Sequence, residues 1–512
     1  MTKFNPNSLF YADGYKVGHY RMLAPNTAYL YGTWIPRGLK YAPANVTKIV
    51  SFGARLTVKW LHDEFTNNFF GLPKEEAMKF GEDMSNYLGM KYDFQHFSEL
   101  YDLGYLPLRI KALPEGIETD PNIPHMTFIN TVKGFAWLPL YLETAISSAS
   151  WKSSTSATIA LRYRRNVEEW VLKTDPANSG LIPFMCHDFS ARGLSPWDML
   201  TSGLGHATSF RGSDTLVVIP GARYYYNEPE DEVCINSVNA SEHSVSTTKI
   251  FTVGESQMIT DWMKLFPDGI FSLVSDTFNL WDVVTKYLPE NKQLIMSRNG
   301  KLVIRPDSGD PVDIICGEIY DRNLSDYPTE EEIKLVNEFE KLHYESPQGK
   351  GVVELLWEIF GGTVNEQGYK VLDPHIGVIY GDAITLERQL EIYSRLARKG
   401  FAATNVVLGV GSYTYQRNTR DALGFAAKGS WFQIIEEDGM VKDFDIYKDP
   451  ITDDGTKRSL RGRLCVIDEH TVLQHCTEES EKEGLLQVIY EDGKLLNTMT
   501  FTEIRNNINK LI

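Results

Sequence analysis

Three charged side chains follow a short apolar run in this chain and are chemically suited to bind a polar, charged ligand. Arg305, Asp307 and Asp310 come directly after Leu302-Val303-Ile304, a run that predicts a buried strand. A guanidinium binds phosphate or carboxylate groups, and a carboxylate can bind Mg²⁺ or a ribose hydroxyl. The same pattern also fits a strand that ends in a capped surface turn, which is favoured by Pro306, Gly309 and Pro311.

Other apolar runs end in the same way. Asp276 follows the run 270–274, Asp382 follows the run 376–380, and the run 405–408 leads into Gly409-Val410-Gly411-Ser412. In a parallel barrel the carboxyl ends of the strands share one face, so these groups would converge. A glycine turn after a late strand suits a phosphate, because its backbone N–H groups can hold the anion.

Further candidates lie outside these runs, and each has an ordinary structural explanation beside the functional one. Phe189 could stack on a flat ring and Arg192 could hold an anion, or they are a core and a surface residue. Asp214 could accept a hydrogen bond from a ligand amide, or cap a turn. His243 could act as a general base or as a nucleophile forming a phospho-intermediate, or be structural. Arg417 and Arg420 have the spacing of one helical turn and could grip a phosphate, or form a solvated face.

The elements that must position these groups alternate between strand and helix. The pattern predicts strands at 215–220, 270–276, 302–304, 376–382 and 405–411, and helices at 157–174, 280–287 and 386–399. Such alternation favours a parallel sheet, open or closed into a barrel. Thr329 and Glu332 have the spacing of a capping box for a helix in an insertion that runs to about Lys341.

The two ends of the chain show a different pattern. Residues 108–113 alternate as a strand does, and Glu437-Asp438-Gly439 and Glu491-Asp492-Gly493 are hairpin-type turns. The predicted fold is therefore α/β, with an irregular (β/α) barrel domain and a β-rich α+β domain formed from the N- and C-terminal segments. We expect the β-rich domain to comprise residues 1–150 and 430–512, and the barrel to comprise residues 151–429.

Composition excludes several classes of protein. The chain has 512 residues and a formal net charge of −17, which argues against a bulk nucleic-acid binder. Its five cysteines form no CxxC pair, and no apolar run is long enough for a membrane span. The N-terminus lacks a signal-peptide pattern, so a cytoplasmic location is expected. No GxGxxG after an early strand, GxSxG, HExxH or Walker motif occurs.

Several segments together resemble the type II phosphoribosyltransferase family, and within it the nicotinamide phosphoribosyltransferases. The resemblance covers nearly the whole chain. Its segments are Asp13 to Tyr20, His187-Asp188-Phe189 with Arg192-Gly193, Gly212 to Thr215, Glu242-His243-Ser244, Val274-Ser275-Asp276, Ile304 to Gly309, Gly381-Asp382, Thr419-Arg420-Asp421 and Lys448-Asp449-Pro450.

This resemblance implies a reaction and a set of ligands. Nicotinamide and phosphoribosyl pyrophosphate (PRPP) would give nicotinamide mononucleotide and pyrophosphate, with Mg²⁺ held mainly by substrate phosphates. The protein would be a homodimer with its active sites at the subunit interface. ATP would phosphorylate His243, which Asp276 would support.

The resemblance also implies roles for individual residues. Phe189 of one subunit and Tyr15 of the other would enclose the pyridine ring, and Asp214 would accept from the carboxamide. The diphosphate would face Arg192, His243 and Arg305. The ribose and the nucleotide product would face Asp307, with Pro306 beside it, and Gly381 and Asp382. The 5′-phosphate would lie by Gly411, Ser412 and Arg420, with Lys428 and Lys448 reaching the site from the partner chain.

Two segments depart from the family pattern. Ser190-Ala191 replaces a usual Gly-Tyr, and Ser412-Tyr413 replaces two glycines, so we expect retained 5′-phosphate binding with altered geometry. Alternative functions are a nicotinate phosphoribosyltransferase, which the charge of Asp214 disfavours, and a non-catalytic nucleotide-binding protein. A barrel glycoside hydrolase would leave the arginines and the glycine turn unexplained.

Overall fold

The chain folds into two compact units. The computed structural model describes residues 5–43, 45–320, 328–381, 383–448 and 459–512. One unit, called here the terminal unit, comprises Met1–Ile159, Ile219–Glu232 and Asn418–Leu511. The other, the barrel unit, comprises Ala160–Val218 and Val233–Arg417, together with Ile512. The helix Glu143–Thr174 contributes residues to both units.

A seven-stranded parallel sheet forms the centre of the barrel unit. We number its strands β1 to β7 in chain order, and their spatial order is β2-β1-β7-β6-β5-β4-β3. The strands are β1 Cys186–Asp188, β2 Gly212–Ser213, β3 Asn239–Ala240, β4 Asp268–Val274, β5 Asn299–Arg305, β6 Ile376–Tyr380 and β7 Val406–Val410.

This sheet curls toward closure. Its edges are β2 and β3, and Asn236, just before β3, bonds to the edge of β2. The Ser213 N–H donates to the Asn236 carbonyl at 3.0 Å, and the Asn236 N–H donates to the Arg211 carbonyl at 2.7 Å. Because sequential strands lie side by side around the curl, the carboxyl ends meet on one face. The predicted irregular (β/α) barrel is confirmed.

Helices connect successive strands of the sheet. One of them replaces a predicted strand, so the prediction of a strand at 215–220 is wrong. Residues 216 and 217 form a turn, and the helix Val218–Tyr226 begins directly after them. A short apolar run fits the start of a helix as well as a strand, and Pro220 is tolerated in a first helical turn. The other connecting helices are Pro196–Ala207, His243–Val253, Glu255–Leu265, Leu280–Asp282, Val283–Tyr287, Leu288–Met296, Pro311–Cys316, Glu330–Glu345, Pro347–Lys350, Val352–Phe360 and Leu386–Arg398.

Most other predicted barrel elements are confirmed. The predicted helix 157–174 is the second half of Glu143–Thr174, and Thr329 caps Glu330–Glu345 by accepting from the Glu332 N–H at 3.2 Å. Gly409, predicted in a turn, lies instead within β7, and only Gly411 follows that strand. No helix in the described ranges has both the length and the apolar character needed to cross a bilayer.

The terminal unit is built on an antiparallel seven-stranded sheet. It interleaves segments from both ends of the chain, which confirms that part of the predicted fold. Its hairpin turns lie at Gly439, with φ +84°, and at Asp492-Gly493, with φ +46° and +81°. In spatial order the strands are Val441–Asp445, Phe425–Ile435, Thr27–Pro36, Met126–Asn130, Leu108–Ala112, Gln487–Glu491 and Lys494–Leu495.

Helices pack an aromatic core against this sheet. Fully buried members of that core include Phe65, Phe69, Phe97 and Phe128. Burying such rings removes a large apolar area from water, which stabilises the unit. The helices are Gly14–Met22, a 3₁₀-helix, and Ala54–Phe65, Lys74–Leu88, Gln95–Leu103, Leu138–Tyr141 and Phe501–Asn509.

Candidate active site

The turn after β5 is held by groups from both neighbouring strands. Oδ2 of Asp276, just after β4, accepts from the Asp307 N–H at 3.0 Å and from the Ser308 hydroxyl at 2.5 Å. From β6, the Tyr380 hydroxyl donates to the Gly309 carbonyl at 2.9 Å. Gly309 has φ +90°, a conformation in which a side chain would be strained. Together with the buried Pro306, these bonds fix the direction of Asp307.

Asp310 has a structural role in this turn. Its carboxylate accepts from the Val312 N–H at 2.9 Å and so caps the helix Pro311–Cys316. The capped-turn explanation therefore applies to Asp310. The active-site explanation stays a prediction for Arg305 and Asp307.

His243 faces two carboxylates across the mouth of the barrel. Its Nε2 lies 3.6 Å from Oδ1 of Asp276 and 3.8 Å from Oδ2 of Asp307. Its Nδ1 lies 3.3 Å from the Thr277 hydroxyl. The Asp276 side chain is 6% exposed and its Oδ1 has no hydrogen-bond partner among the described residues, whereas the His243 side chain is 45% exposed. A half-exposed imidazole thus lies beside a buried carboxylate oxygen that has no donor among the described residues.

Gly381, the first residue after β6, gives Asp307 its space. A Cβ atom at Gly381 would lie 2.7 Å from Oδ1 of Asp307, closer than real Cβ contacts permit. A side chain here would displace the carboxylate, so glycine at 381 leaves Asp307 in the position that the structure shows. Asp382, predicted beside Gly381 in the site, lies outside the described residues.

Asp214, just after β2, is aligned by protein donors. Nε2 of His187 lies 3.0 Å from Oδ1 of Asp214, and the Ser237 hydroxyl donates to the same oxygen. Burial raises the pKa of Asp214, but the hydrogen bonds from His187 and Ser237 and the charge of Arg305 outweigh it, and the pKa lies below its usual value. The carboxylate therefore stays charged and remains an acceptor near neutral pH.

Asp188, at the end of β1, was not among the predicted site residues. It is fully buried, and its oxygens accept from the Ser190 N–H at 2.9 Å and the Thr215 hydroxyl at 2.7 Å. These bonds fix the backbone on either side of Phe189 and beside Asp214. The only signal in the sequence was an aspartate two residues before a serine, a common turn pattern.

Phe189 is positioned between a histidine and a glycine. Its ring centroid lies 4.6 Å from that of His187, and its Cδ2 would be 2.7 Å from a Cβ at Gly409. Gly409 within β7 therefore serves to admit the aromatic ring. The ring is partly buried and retains an accessible part for a ligand.

Arg305 and Arg192 supply positive charge to the candidate site, Arg305 from a partly buried position and Arg192 from an exposed one. Arg305 donates from Nη2 to the Ser241 carbonyl at 3.2 Å, while its buried Nε has no partner among the described residues. Arg192 is exposed in the short helix Ala191–Gly193. Both guanidinium groups retain N–H donors that can bind an anion.

Gly411 and Ser412 come directly after β7, where the short helix Ser412–Gln416 begins. Gly411 is buried and Ser412 is partly buried. A Cβ at Gly193 would lie 2.4 Å from both Cβ and Oγ of Ser412, so the Arg192 loop and this helix are in direct contact.

A buried hydrogen-bond chain ties the same helix to β2, and sequence analysis missed it. The ring of His206 has Nε2 3.1 Å from the Gly212 carbonyl and Nδ1 2.7 Å from the Tyr415 hydroxyl. A carbonyl only accepts, so Nε2 carries the proton and Tyr415 donates to Nδ1. Burial lowers the pKa of His206 and raises that of Tyr415 well above its usual value, so both stay neutral.

The remaining predicted site residues belong to the terminal unit. Tyr15 is 66% exposed, on the 3₁₀-helix Gly14–Met22. Nζ of Lys428 lies 4.0 Å from the carboxylate of Glu143. Burial lowers the pKa of Lys428, and the positive charge of Lys448 lowers it further, whereas the negative charge of Glu143 raises it. Arg420 is exposed in Arg420–Ala422, while the helix after β7 ends at Gln416, so Arg417 and Arg420 do not share a helix.

The arrangement in the barrel unit brings together carboxylates, guanidinium groups, an imidazole and an aromatic ring at the carboxyl ends of the strands. In the described ranges, no group of three or more His, Cys, Asp or Glu side chains is arranged to hold a metal ion. Mg²⁺ commonly uses only one or two carboxylates together with substrate phosphates. Asp307, partly exposed at the mouth, fits that use.

Comparison with known proteins finds similarity along most of the chain. A model of the nicotinate phosphoribosyltransferase (NAPRTase) family matches residues 184–494. The nicotinamide phosphoribosyltransferase of Acinetobacter baylyi is 39% identical over 528 aligned positions, which cover 99% of this chain and 97% of that protein. That of Xanthomonas campestris pv. campestris is 32% identical over 78% of this chain and 79% of that protein.

Solved structures share the fold at low sequence identity. Human nicotinic acid phosphoribosyltransferase is 16% identical, with a TM-score of 0.52 over 97% of this chain and 92% of that one. A nicotinate-nucleotide pyrophosphorylase from Pyrococcus furiosus is 14% identical, with a TM-score of 0.51 over 100% of this chain and 98% of that one.

Proposed function

This chain belongs to the nicotinate phosphoribosyltransferase family and is a phosphoribosyltransferase, and we propose that it joins nicotinamide to PRPP, giving nicotinamide mononucleotide and pyrophosphate in NAD salvage. The observation that carries the choice of substrate is the charged carboxylate of Asp214 in its aligned position. The relatives from Acinetobacter baylyi and Xanthomonas campestris carry the name of this activity, which supports the proposal.

Asp214 supports nicotinamide over nicotinic acid by its charge. A carboxamide N–H would donate to the carboxylate, whereas the carboxylate of nicotinic acid would repel it. His187 and Ser237 hold the orientation of Asp214 from the protein side. Phe189 would stack on one face of the pyridine ring, and Tyr15 of a second subunit would cover the other face.

The phosphate groups of PRPP would be held by arginines, lysines and backbone donors. Arg192 and Arg305 would bind the diphosphate, with His243 beside them. Gly411 and Ser412 would hold the 5′-phosphate, assisted by Arg420 and by Lys428 and Lys448 of the partner chain. Asp307, with substrate phosphate oxygens, would hold Mg²⁺, which would neutralise charge on the diphosphate leaving group.

The reaction would proceed by displacement at the anomeric carbon of the ribose. The pyridine nitrogen forms its bond to that carbon as the bond to the diphosphate oxygen breaks, through a state with positive charge on the sugar. Asp307 would stabilise that charge, and Gly381 and Asp382 would lie along the ribose. Arg305 stabilises the negative charge on the departing diphosphate. The displacement needs no proton transfer, so the site requires no acid–base pair.

ATP would add a second level of control by phosphorylating His243. The nucleophile would be Nδ1 of His243, because Nε2 faces the carboxylates of Asp276 and Asp307. ADP would leave as the N–P bond forms. The test is to incubate the protein with labelled ATP and measure acid-labile phosphate. Equal labelling of the His243→Ala variant would contradict the assignment.

A homodimer with sites shared between subunits would explain why Tyr15 is exposed. It would also explain why apolar side chains are exposed on and beside the helix His243–Val253. On and beside that helix, Phe251 is 76% exposed and Phe278 is 60% exposed, and their rings lie 6.0 Å apart. Covering such a patch with a second copy is favourable.

Mixing two inactive variants tests the shared site. In a mixed dimer of Tyr15→Ala and Asp307→Ala chains, one site would carry both changes and the other would carry neither. Random assortment on co-expression would restore about a quarter of wild-type activity. No restoration, with mixed dimers demonstrated by tagged pull-down, would contradict a shared site.

Pyrophosphate release with both pyridine substrates, measured side by side, tests the main proposal. We expect release with nicotinamide, PRPP and Mg²⁺, and much slower release with nicotinic acid. Preference for nicotinic acid would make the chain a nicotinate phosphoribosyltransferase. No release with either substrate would leave a nucleotide-binding protein without this activity.

A further inference from the structure

Gly193 is a glycine for a reason that lies outside its own backbone. Its φ is not in the left-handed region, so an L-residue could adopt its conformation without strain. The space around it is the limit, because a Cβ atom at this position would lie 2.4 Å from both Cβ and Oγ of Ser412. Rotation of the Ser412 hydroxyl does not move its Cβ, so no rotamer relieves the overlap.

The Ser412 side of this contact cannot easily move. The helix Ser412–Gln416 is tied to the rest of the barrel unit by a buried bond from Tyr415 to His206 at 2.7 Å and a partly buried bond from Thr414 to the Ile384 carbonyl at 3.2 Å. Tyr163 donates to the same Ile384 carbonyl at 2.8 Å. The helix is therefore fixed relative to β2 and to the loop after β6.

The Gly193 side can move. Arg192 and Gly193 are exposed, and their loop is closed by backbone bonds from Gly193 N–H to Ser190 at 3.1 Å and from Leu194 N–H to Ala191 at 3.2 Å. A larger residue at position 193 would consequently displace the loop, and with it the guanidinium of Arg192. The helix would keep its place.

We infer that Ser412 and Gly193 form a fitted contact that fixes the Arg192 loop against the segment after β7, and so sets the distance between the two anion-binding parts of the site. The inference rests on the proposed function, in which Arg192 meets the diphosphate and Ser412 the 5′-phosphate of one PRPP molecule. A substrate with two anionic ends requires both binding groups at a fixed separation. Ser412 is thus a positioning residue for Arg192 in addition to its place by the 5′-phosphate.

Gly193→Ala, Ser412→Gly and the double variant test this contact. Gly193→Ala should raise the KM for PRPP about tenfold, since overpacking shifts the loop, and change kcat and the KM for nicotinamide by less than about threefold. The double variant should recover a KM for PRPP within about threefold of Ser412→Gly alone, because the overlap is gone. Gly180→Ala is the matched control, since Gly180 is exposed, has no neighbour within 4 Å and is not left-handed.

A second measurement separates this inference from the proposed function. Hydrogen–deuterium exchange of the loop amides should be faster in Gly193→Ala and return to the Ser412→Gly rate in the double variant. If the wild type releases no pyrophosphate, the proposed function fails and the exchange data alone decide the contact. A Gly193→Ala variant with wild-type loop exchange and wild-type KM, or a double variant as impaired as Gly193→Ala, would overturn the inference.

Discussion

His187 and Asp214 form a close pair, with Nε2 of the histidine 3.0 Å from Oδ1 of the aspartate, and Ser237 donates to the same oxygen. Oδ2 of Asp214 has no protein donor in the part of the chain that the structure describes. One oxygen therefore anchors the carboxylate, and the other is available to a ligand. The pair orients Asp214 without consuming its ability to accept.

Replacing Asp214 by asparagine should change the choice of substrate. The amide of an asparagine at 214 would donate to the carboxylate of nicotinic acid, so Asp214→Asn should raise kcat/KM for nicotinic acid. The variant loses the charged acceptor for the carboxamide N–H, so kcat/KM for nicotinamide should fall about 10- to 100-fold. The measurement is kcat/KM for each pyridine by pyrophosphate release. Ser237→Ala, which removes only a supporting donor, is the matched control and should give a smaller change. An unaltered preference in Asp214→Asn would exclude Asp214 as the selecting group.

Asp307 and Asp310 lie in the same turn and should respond differently to alanine. Asp307→Ala should reduce kcat at least about 100-fold and leave the thermal midpoint within a few degrees, because its side chain is partly exposed and faces the site. Asp310→Ala should lower the free energy of unfolding by about 1 kcal/mol, because it removes a helix cap, and retain most activity. Kinetics and thermal melts on both variants check this. A fully active Asp307→Ala would show that the turn is only scaffold.

Tyr415 and Tyr413 are on the same short helix and offer a second matched pair. Tyr415→Phe removes the donor to Nδ1 of the fully buried His206, so the free energy of unfolding should fall by about 1–3 kcal/mol. Tyr413 is exposed, and Tyr413→Phe should change that free energy by less than about 0.5 kcal/mol. Urea titration at neutral pH measures both. Equal effects would mean that the buried bond contributes no net stability.

His96 in the terminal unit should make stability fall with acid. Its ring is buried, stacks on Tyr20 at 4.3 Å and has no hydrogen-bond partner at either nitrogen among the described residues. Burial lowers the pKa of His96 to about 4. Between a normal value of about 6.5 and that lowered value, the unfolded chain binds a proton that the folded chain does not. The stability contributed by the neutral ring is thus present above pH 6.5 and lost as the pH falls toward 4.

His96→Phe keeps an aromatic ring and removes the titration. The wild type should lose on the order of 3 kcal/mol more than this variant between pH 7 and pH 4, from the size of the pKa shift. Thermal or urea unfolding across that range measures the difference. Parallel stability curves for the two proteins would mean that His96 titrates near its normal pKa in the folded state.

Much of the fold followed from the pattern of the sequence. The longer strands β4, β5, β6 and β7 were recognisable as apolar runs, and the hairpins of the terminal unit by their turn residues. The short strands β2 and β3 have two residues each and carry polar or small side chains. Their pairing depends on neighbours distant in the chain, which local patterns do not report. The same limit explains the wrong strand at 215–220.

The candidate site was less accessible to sequence reasoning than the fold. The position of polar residues after strands indicated Asp276, Arg305 and Asp307, because parallel strands share one face. Asp188 and the bond from Tyr415 to His206 were missed, and Gly409 was assigned to a turn, since each owes its role to a partner far away in sequence. Asp310 shows the converse, because this acidic residue follows the same strand and caps a helix.

The contact between Gly193 and Ser412 also constrains the order in which this site can accumulate substitutions. With serine at position 412, any residue other than glycine at 193 would displace the Arg192 loop, because its Cβ would overlap Ser412. We therefore expect glycine at 193 to precede serine at 412, and alanine at 193 to weaken PRPP binding for as long as serine is present at 412. Two positions more than two hundred residues apart in sequence would then change as a linked pair in related chains.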